Sequence, residues 1–141
     1  MQTFLPYDDF VQTSRCLDRQ RLGKQRVEVL QLLKAFDTGK GWVNHPAAKM
    51  WRGYEGKLID YGHEICQEWK ERGYKDTCDE KICAYELVFD VDRLMDPMPP
   101  WMGDPAFHLS HKSNLLRKMP DHYRQFWPDV PDDLPYVWPV N

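Results

Sequence analysis

Arg15-Cys16-Leu17-Asp18-Arg19-Gln20-Arg21-Leu22-Gly23-Lys24-Gln25-Arg26-Val27-Glu28 is the stretch on which the reading of this chain turns. It sets five basic residues (Arg15, Arg19, Arg21, Lys24, Arg26) against one acid, Asp18, and follows them at once with Glu28. Beyond Glu28 the pattern turns apolar at helical spacing. Leu22, Val29, Leu33 and Phe36 fall on one face, which predicts a long helix from about Ser14 to Phe36, ended by Gly39 and Gly41. Gly23 inside it costs about 1 kcal/mol relative to alanine and allows a close approach to the backbone. Glu28 lies four residues after Lys24 and seven after Arg21, so the three share a face. Two readings fit that face. One is a surface ion-pair ladder worth about 0.3 kcal/mol per pair. The other is a polyanion site in which basic groups hold phosphates while Glu28 handles protons.

The rest of the chain limits how such a site can work. The 141 residues carry a formal charge of −3, so bulk charge does not draw this protein to nucleic acid, and any such binding is local. Residues 1–75 hold 13 Lys/Arg and 10 Asp/Glu, whereas residues 76–141 hold 6 and 12, which places a phosphate-facing surface in the first half. Met1–Phe10 has two acids and no hydrophobic run, so no signal peptide is read there, and no apolar stretch reaches membrane-spanning length. Four scattered cysteines without a secretory context favour reduced thiols in a cytoplasm. Cys78 and Cys83 with His108 and His111 make a loose zinc constellation whose spacings argue against that role. Six Trp, seven Tyr and six Phe supply core and stacking surface.

Outward from the first helix the chain reads as one mainly α domain: a compact bundle of three long helices with an extended N-terminal arm and long loops. Met1–Tyr7 is the arm, with Pro6 near its end, and a short helix starts near Asp8. A second long helix is predicted to open near Asn44-His45-Pro46. Leu58, Tyr61, Ile65 and Trp69 keep its apolar face, and Gly73 stops it. Tyr85–Val91 reads equally as strand or helix. Asp104-Pro105 opens a third helix to about Lys118, and Met119-Pro120 a short one through Trp127. From Pro128 the chain is proline-rich, expected to dock through Tyr136 and Trp138.

The stretch Leu17–Glu28, followed by Gln31, resembles the first-helix signature of pyrimidine-dimer DNA glycosylases of the phage endonuclease V type. Asn44-His45-Pro46 with Trp51, and the helix exit Glu71-Arg72-Gly73-Tyr74-Lys75-Asp76-Thr77, look similar to that family's second helix. Ser110–Lys118 and Pro120-Asp121-His122-Tyr123 resemble its third helix and aromatic C-terminal segment, so the likeness runs in three blocks over residues 1–127. The resemblance implies a bifunctional enzyme on damaged double-stranded DNA, using no metal or organic cofactor. In that family the chain's own α-amine attacks the sugar C1′, and a first-helix glutamate, here aligned with Glu28, assists base loss and the β-elimination that nicks the strand. A non-catalytic DNA-binding or damage-sensing protein of the same fold is the alternative.

An α-amine suits imine formation because it ordinarily titrates at about 8, so a useful fraction is neutral at neutral pH. Well-known members of the family expose a threonine once the initiator methionine is gone, whereas position 2 here is Gln. The expected nucleophile is therefore the amine of Met1, that of Gln2 if processing exposes it, or the side chain of Lys24, crowded by cations that ease loss of its proton. Residues expected to meet DNA are Gln2, Arg19, Arg21, Arg26, His45, Lys49, Arg52, Lys112, Arg117 and Lys118. The lysines and arginines have an alternative use as solvated or acid-paired charges, and His45 as a helix cap. Tyr123, Phe126 and Trp127 are read as DNA contacts or as core packing. The protein is expected to be a cytoplasmic monomer, associated with the nucleoid when on DNA.

Overall fold

Asp18 breaks the first predicted helix in two. In the structure, a computed structural model describing residues 1–140, Leu17 and Asp18 are extended, and the Asp18 carboxylate accepts the Arg21 backbone N–H as an N-cap. Aspartate prefers to hold free backbone donors rather than continue a helix, so the chain restarts there. Helix α1 is Phe10–Cys16 and helix α2 is Arg19–Thr38, closed by Gly39 at φ 70°, whose N–H reaches the Ala35 carbonyl. The second predicted helix also divides. A short 3-10 turn at Trp42–Asn44 leads to His45, which caps helix α3 (Pro46–Trp51), and Gly53 at φ 88° turns the chain into helix α4 (Glu55–Glu71).

The ambiguous segment is helical: α5 spans Asp79–Phe89. Asp104 caps α6 (Pro105–Lys118) as its Asp-Pro start predicts. Helix α7 covers only Pro120–Tyr123, and the anticipated run to Trp127 continues as hydrogen-bonded turns onto the Tyr123 carbonyl. The described residues contain no strand.

Helices α2 and α4 pack through glycines on both sides. A Cβ at Gly23 would lie 2.9 Å from two ring carbons of Trp69, and one at Gly62 would lie 2.7 Å from Val29. Each glycine therefore admits a large side chain of the facing helix. Leu22, Val29, Leu32 and Leu33 of α2 join Leu58, Ile59, Tyr61 and Ile65 of α4 in one buried cluster with Trp51, Phe107 and Leu115.

The N-terminal arm threads this core; Thr3 and Leu5 are fully buried. Having no strand to pair with, its backbone needs side-chain partners. Phe4 N–H donates to Gln25 Oε1, and Tyr61 hydroxyl donates to the Phe4 carbonyl at 2.7 Å. Leu5 N–H donates to His111 Nδ1, and the Leu5 carbonyl accepts from His108 Nδ1. Trp51 Nε1 donates to Thr3 Oγ1. Along α6, Ser113 and Ser110 accept the N–H groups of Leu134 and Val137.

Candidate active site

Helix α2 carries Gln25 and Glu28 one turn apart on its inward face, where the start of the arm runs past. Glu28 is buried at 6% exposure, and its Oε2 accepts the Gln2 backbone N–H at 3.2 Å. Gln25 Nε2 donates both to that oxygen (3.1 Å) and to the Gln2 carbonyl (2.9 Å). Lys24 Nζ stands 3.7 Å from the other carboxylate oxygen. One glutamate thus fixes the first peptide of the chain, and Gln25 orients both.

These groups line a cleft of about 260 Å³ that also takes in Met1, Arg21, Lys118 and Tyr136. Gln2 also lines it; its Nε2 is buried without a partner, while Oε1 accepts the Thr3 N–H. Burial pushes the Tyr136 hydroxyl up to about 12, against the opposing pull of Arg117 and Arg21. His45 is held below its ordinary value by burial first and then by the positive amino terminus, with Glu28 acting the other way. Its Nδ1 accepts the Ala47 N–H as the cap of α3, and its ring meets Trp42 and Trp138 edge-on at 5.5 and 5.6 Å.

Arg21 reaches the cleft from a second anchor. Its guanidinium lies 3.3 Å from Asp18, whose carboxylate also accepts the Tyr123 hydroxyl. Burial alone would raise the Asp18 carboxyl, but Tyr123, Arg21 and the Arg21 backbone N–H together hold it below the usual carboxylate value.

The structure brings together Met1, Gln2, Arg21, Lys24, Glu28 and Lys118 of the residues singled out from sequence. Lys24 shares the cleft with Arg21 and Lys118 but has the Glu28 carboxylate as its partner, and its side chain is 69% exposed. Arg26 is turned away: it pairs with Asp76 at 2.6 Å and lies over the Trp69 ring. Arg52 donates to the Val43 carbonyl, Arg117 to the Asp132 carbonyl and Asn114, and Lys112 sits over Tyr7 and Trp127. Lys49 is exposed on α3, and Arg19 is exposed beside the Tyr74 ring. Tyr123 and Trp127 are core residues, whereas Phe126 is 40% exposed. The zinc constellation read from Cys78, Cys83, His108 and His111 does not assemble, because both histidines hold the Leu5 backbone.

Sequence reasoning missed Gln25, hidden in a polar run yet the most connected side chain of the site. A polar residue three positions before Glu28, on the face that continues into Val29 and Leu32, was the available signal. The tail residues Tyr136 and Trp138 were read as anchors, yet Tyr136 also forms part of the cleft wall and Trp138 packs against His45.

The class defined by these features is a small all-α protein with a buried glutamate beside its amino terminus, in a cleft edged by cations. The family of pyrimidine dimer DNA glycosylases matches residues 1–82, more than half the chain, and the protein belongs to that family. It is a DNA glycosylase whose substrate is damaged DNA. No curated protein and no solved structure matches the chain. No helix among the described residues is long and apolar enough to cross a membrane.

Proposed function

We propose that the protein removes a damaged pyrimidine, a pyrimidine dimer in the first instance, and then nicks the strand as an AP lyase, with the chain's first α-amine as nucleophile and Glu28 as its acid–base partner. The observation that carries this reading is the 3.2 Å contact between the Gln2 backbone nitrogen and Glu28 Oε2, which brings the first residues of the chain to a buried carboxylate.

In the proposed reaction the neutral amine attacks C1′, the glycosidic bond breaks with its electron pair leaving on the base, and the amine's proton passes to Glu28. Glu28 returns that proton to the ring oxygen O4′ as the C1′–O4′ bond breaks, and the opened sugar is held as an iminium, next to a carboxylate that stabilises its positive charge. Glu28 next takes a proton from C2′, and the C3′–oxygen bond breaks to release the 3′ phosphate as leaving group. Arg21, Lys24 and Lys118 line the cleft and serve as the proposed phosphate partners. Because the target carbon lies inside a duplex, the lesion or its opposite base must leave the stack.

Met1 lies in the cleft and is the nucleophile of the full chain; were it removed, the Gln2 nitrogen would become an amine already beside Glu28. Lys24 fits less well, since it is exposed and bound to the same carboxylate as a counter-ion.

Borohydride trapping on dimer-containing and abasic duplexes tests this. A covalent adduct is expected on both, and mass spectrometry of the labelled N-terminal peptide identifies the amine. Glu28→Gln should lower trapping and nicking at least about 100-fold, the scale of losing a positioned acid–base group, while duplex binding persists. Acetylating the terminus should abolish trapping. No adduct on either substrate, or an adduct on Lys24, defeats the reading.

A further inference from the structure

Away from the cleft, three different metal-ligand types converge where α4 meets the first turns of α5. His63 comes from α4, and Asp79 and Cys83 come from one face of α5, four residues apart. Asp79 Oδ1 is 2.9 Å from His63 Nδ1 and 3.4 Å from Cys83 Sγ, and Cys83 Sγ is 3.8 Å from the same imidazole nitrogen.

Tetrahedral zinc, with bonds of about 2.3 Å to sulfur and about 2.1 Å to nitrogen and oxygen, requires ligand–ligand edges of about 3.6 Å to sulfur and about 3.4 Å between nitrogen and oxygen. Both sulfur edges here lie within about 0.2 Å of that value. The nitrogen–oxygen edge is shorter because a proton is shared across it, and it opens by about 0.5 Å when an ion takes the proton's place.

The carboxylate is already oriented for this. Its other oxygen, Oδ2, accepts from Lys70 Nζ and Gln67 Nε2, each at 3.0 Å, which leaves Oδ1 facing the imidazole and the thiol. All three side chains are half-buried and stand on regular helices, so they are reachable from solvent yet held in place.

We propose that His63, Asp79 and Cys83 form a zinc(II) site, completed by one water, that staples the start of α5 to α4. Thiolate, imidazole and carboxylate together suit a borderline-soft ion rather than magnesium or calcium. Two anionic ligands balance the charge of the dication. On binding, the Cys83 proton leaves to solvent and the imidazole proton moves from Nδ1 to Nε2, freeing Nδ1 to coordinate. The site is independent of the cleft and of the amine chemistry proposed there.

Cobalt(II) titration of the reduced, chelator-treated full chain tests the site. Expected are saturation at one equivalent, a thiolate-to-cobalt charge-transfer band and the intense visible bands of four-coordinate cobalt. Zinc should displace the cobalt and raise the melting temperature. Cys83→Ser should remove the charge-transfer band, and His63→Ala should weaken binding at least about 100-fold, beyond the loss typical of groups that only orient a ligand. Circular dichroism of both apo variants checks that they fold; should one not fold, the other still distinguishes a built site from none. Absence of the thiolate band in the full chain, or its survival in Cys83→Ser, overturns the proposal.

Discussion

Replacing Gln25 by alanine should loosen the arm and silence the proposed nucleophile together. Gln25 Oε1 accepts from Phe4 N–H and from the Tyr61 hydroxyl, and its Nε2 donates to the Gln2 carbonyl and Glu28. Tyr61 keeps the Phe4 carbonyl and Glu28 keeps the Gln2 N–H, so two backbone groups, Phe4 N–H and Gln2 C=O, lose the partner Gln25 gave them. Each buried group left unpaired costs about 1–3 kcal/mol, which puts Gln25→Ala at about 2–6 kcal/mol. That is a large fraction of the roughly 5–15 kcal/mol stability of a whole domain. Gln25→Glu separates the two halves of the effect: it retains both acceptor contacts, loses the donor to the Gln2 carbonyl and buries a second carboxylate against Glu28, so it should cost more than the roughly 1–3 kcal/mol of the unpaired carbonyl alone. Urea unfolding followed by tryptophan fluorescence should rank the wild type above both variants. Borohydride trapping should fall in both variants under conditions where each is folded. An alanine variant within about 0.5 kcal/mol of wild type, the range of an ordinary surface substitution, that also traps at the wild-type rate would refute the role given to Gln25.

Arg26→Ala strips the guanidinium from Asp76, whose side chain is 1% exposed, and should destabilise the fold by about 3–5 kcal/mol in urea titrations, with Asp76→Asn in the same chain recovering part of the loss. Burial pushes His111 down to about 3 from an ordinary 6.5; the unfolded chain therefore takes up that proton first, and stability should fall as pH drops from 6.5 towards 3. At about pH 5, above the range where Asp18, Asp76 and Asp79 take up protons, this contribution to the slope of urea midpoints against pH should approach about 1.4 kcal/mol per pH unit and be lost in His111→Phe. Gly23→Ala gains about 1 kcal/mol of helix propensity but drives a Cβ to 2.9 Å from two Trp69 ring carbons, so a net loss of up to about 2 kcal/mol is expected, reversed when Trp69 is also made leucine.

What the sequence revealed of the fold follows from which interactions are local. The Asp104-Pro105 start of α6 and the Gly39 end of α2 are decided within one helical turn, and both are legible. Asp18 is local too, but its capping role competes with a periodic pattern that continues on either side, so the break between α1 and α2 was hidden. Tyr85–Val91 is short and apolar, and periodicity alone does not separate helix from strand in such a run. Packing against α2 and α4 decides it. The buried course of the arm was beyond sequence reading, because the partners of Phe4 and Leu5 lie 21 to 106 residues away. For the site, the likeness around Leu17–Glu28 singled out Glu28. Charge counting could not foresee that Arg26, Lys112 and Arg117 are engaged with Asp76, with two aromatic rings and with the tail, because those partners are distant in sequence.

The same hydrogen bonds that hold the arm in the core also hold Glu28, and this ties stability to the proposed reactivity. A carboxylate at 6% exposure is costly unless its oxygens are paired, and here the Gln2 N–H and Gln25 supply Oε2 while Lys24 faces Oε1. A residue retained only to anchor the arm would be served as well by a glutamine, whose carbonyl oxygen accepts the Gln2 N–H at no charge-burial cost. A residue retained for proton transfer would not. Glu28→Gln should therefore leave unfolding free energy unchanged or slightly raised, since a neutral amide replaces a buried ion, and still lose trapping. Loss of both in parallel would make Glu28 a structural clamp, and the chemistry would need another base.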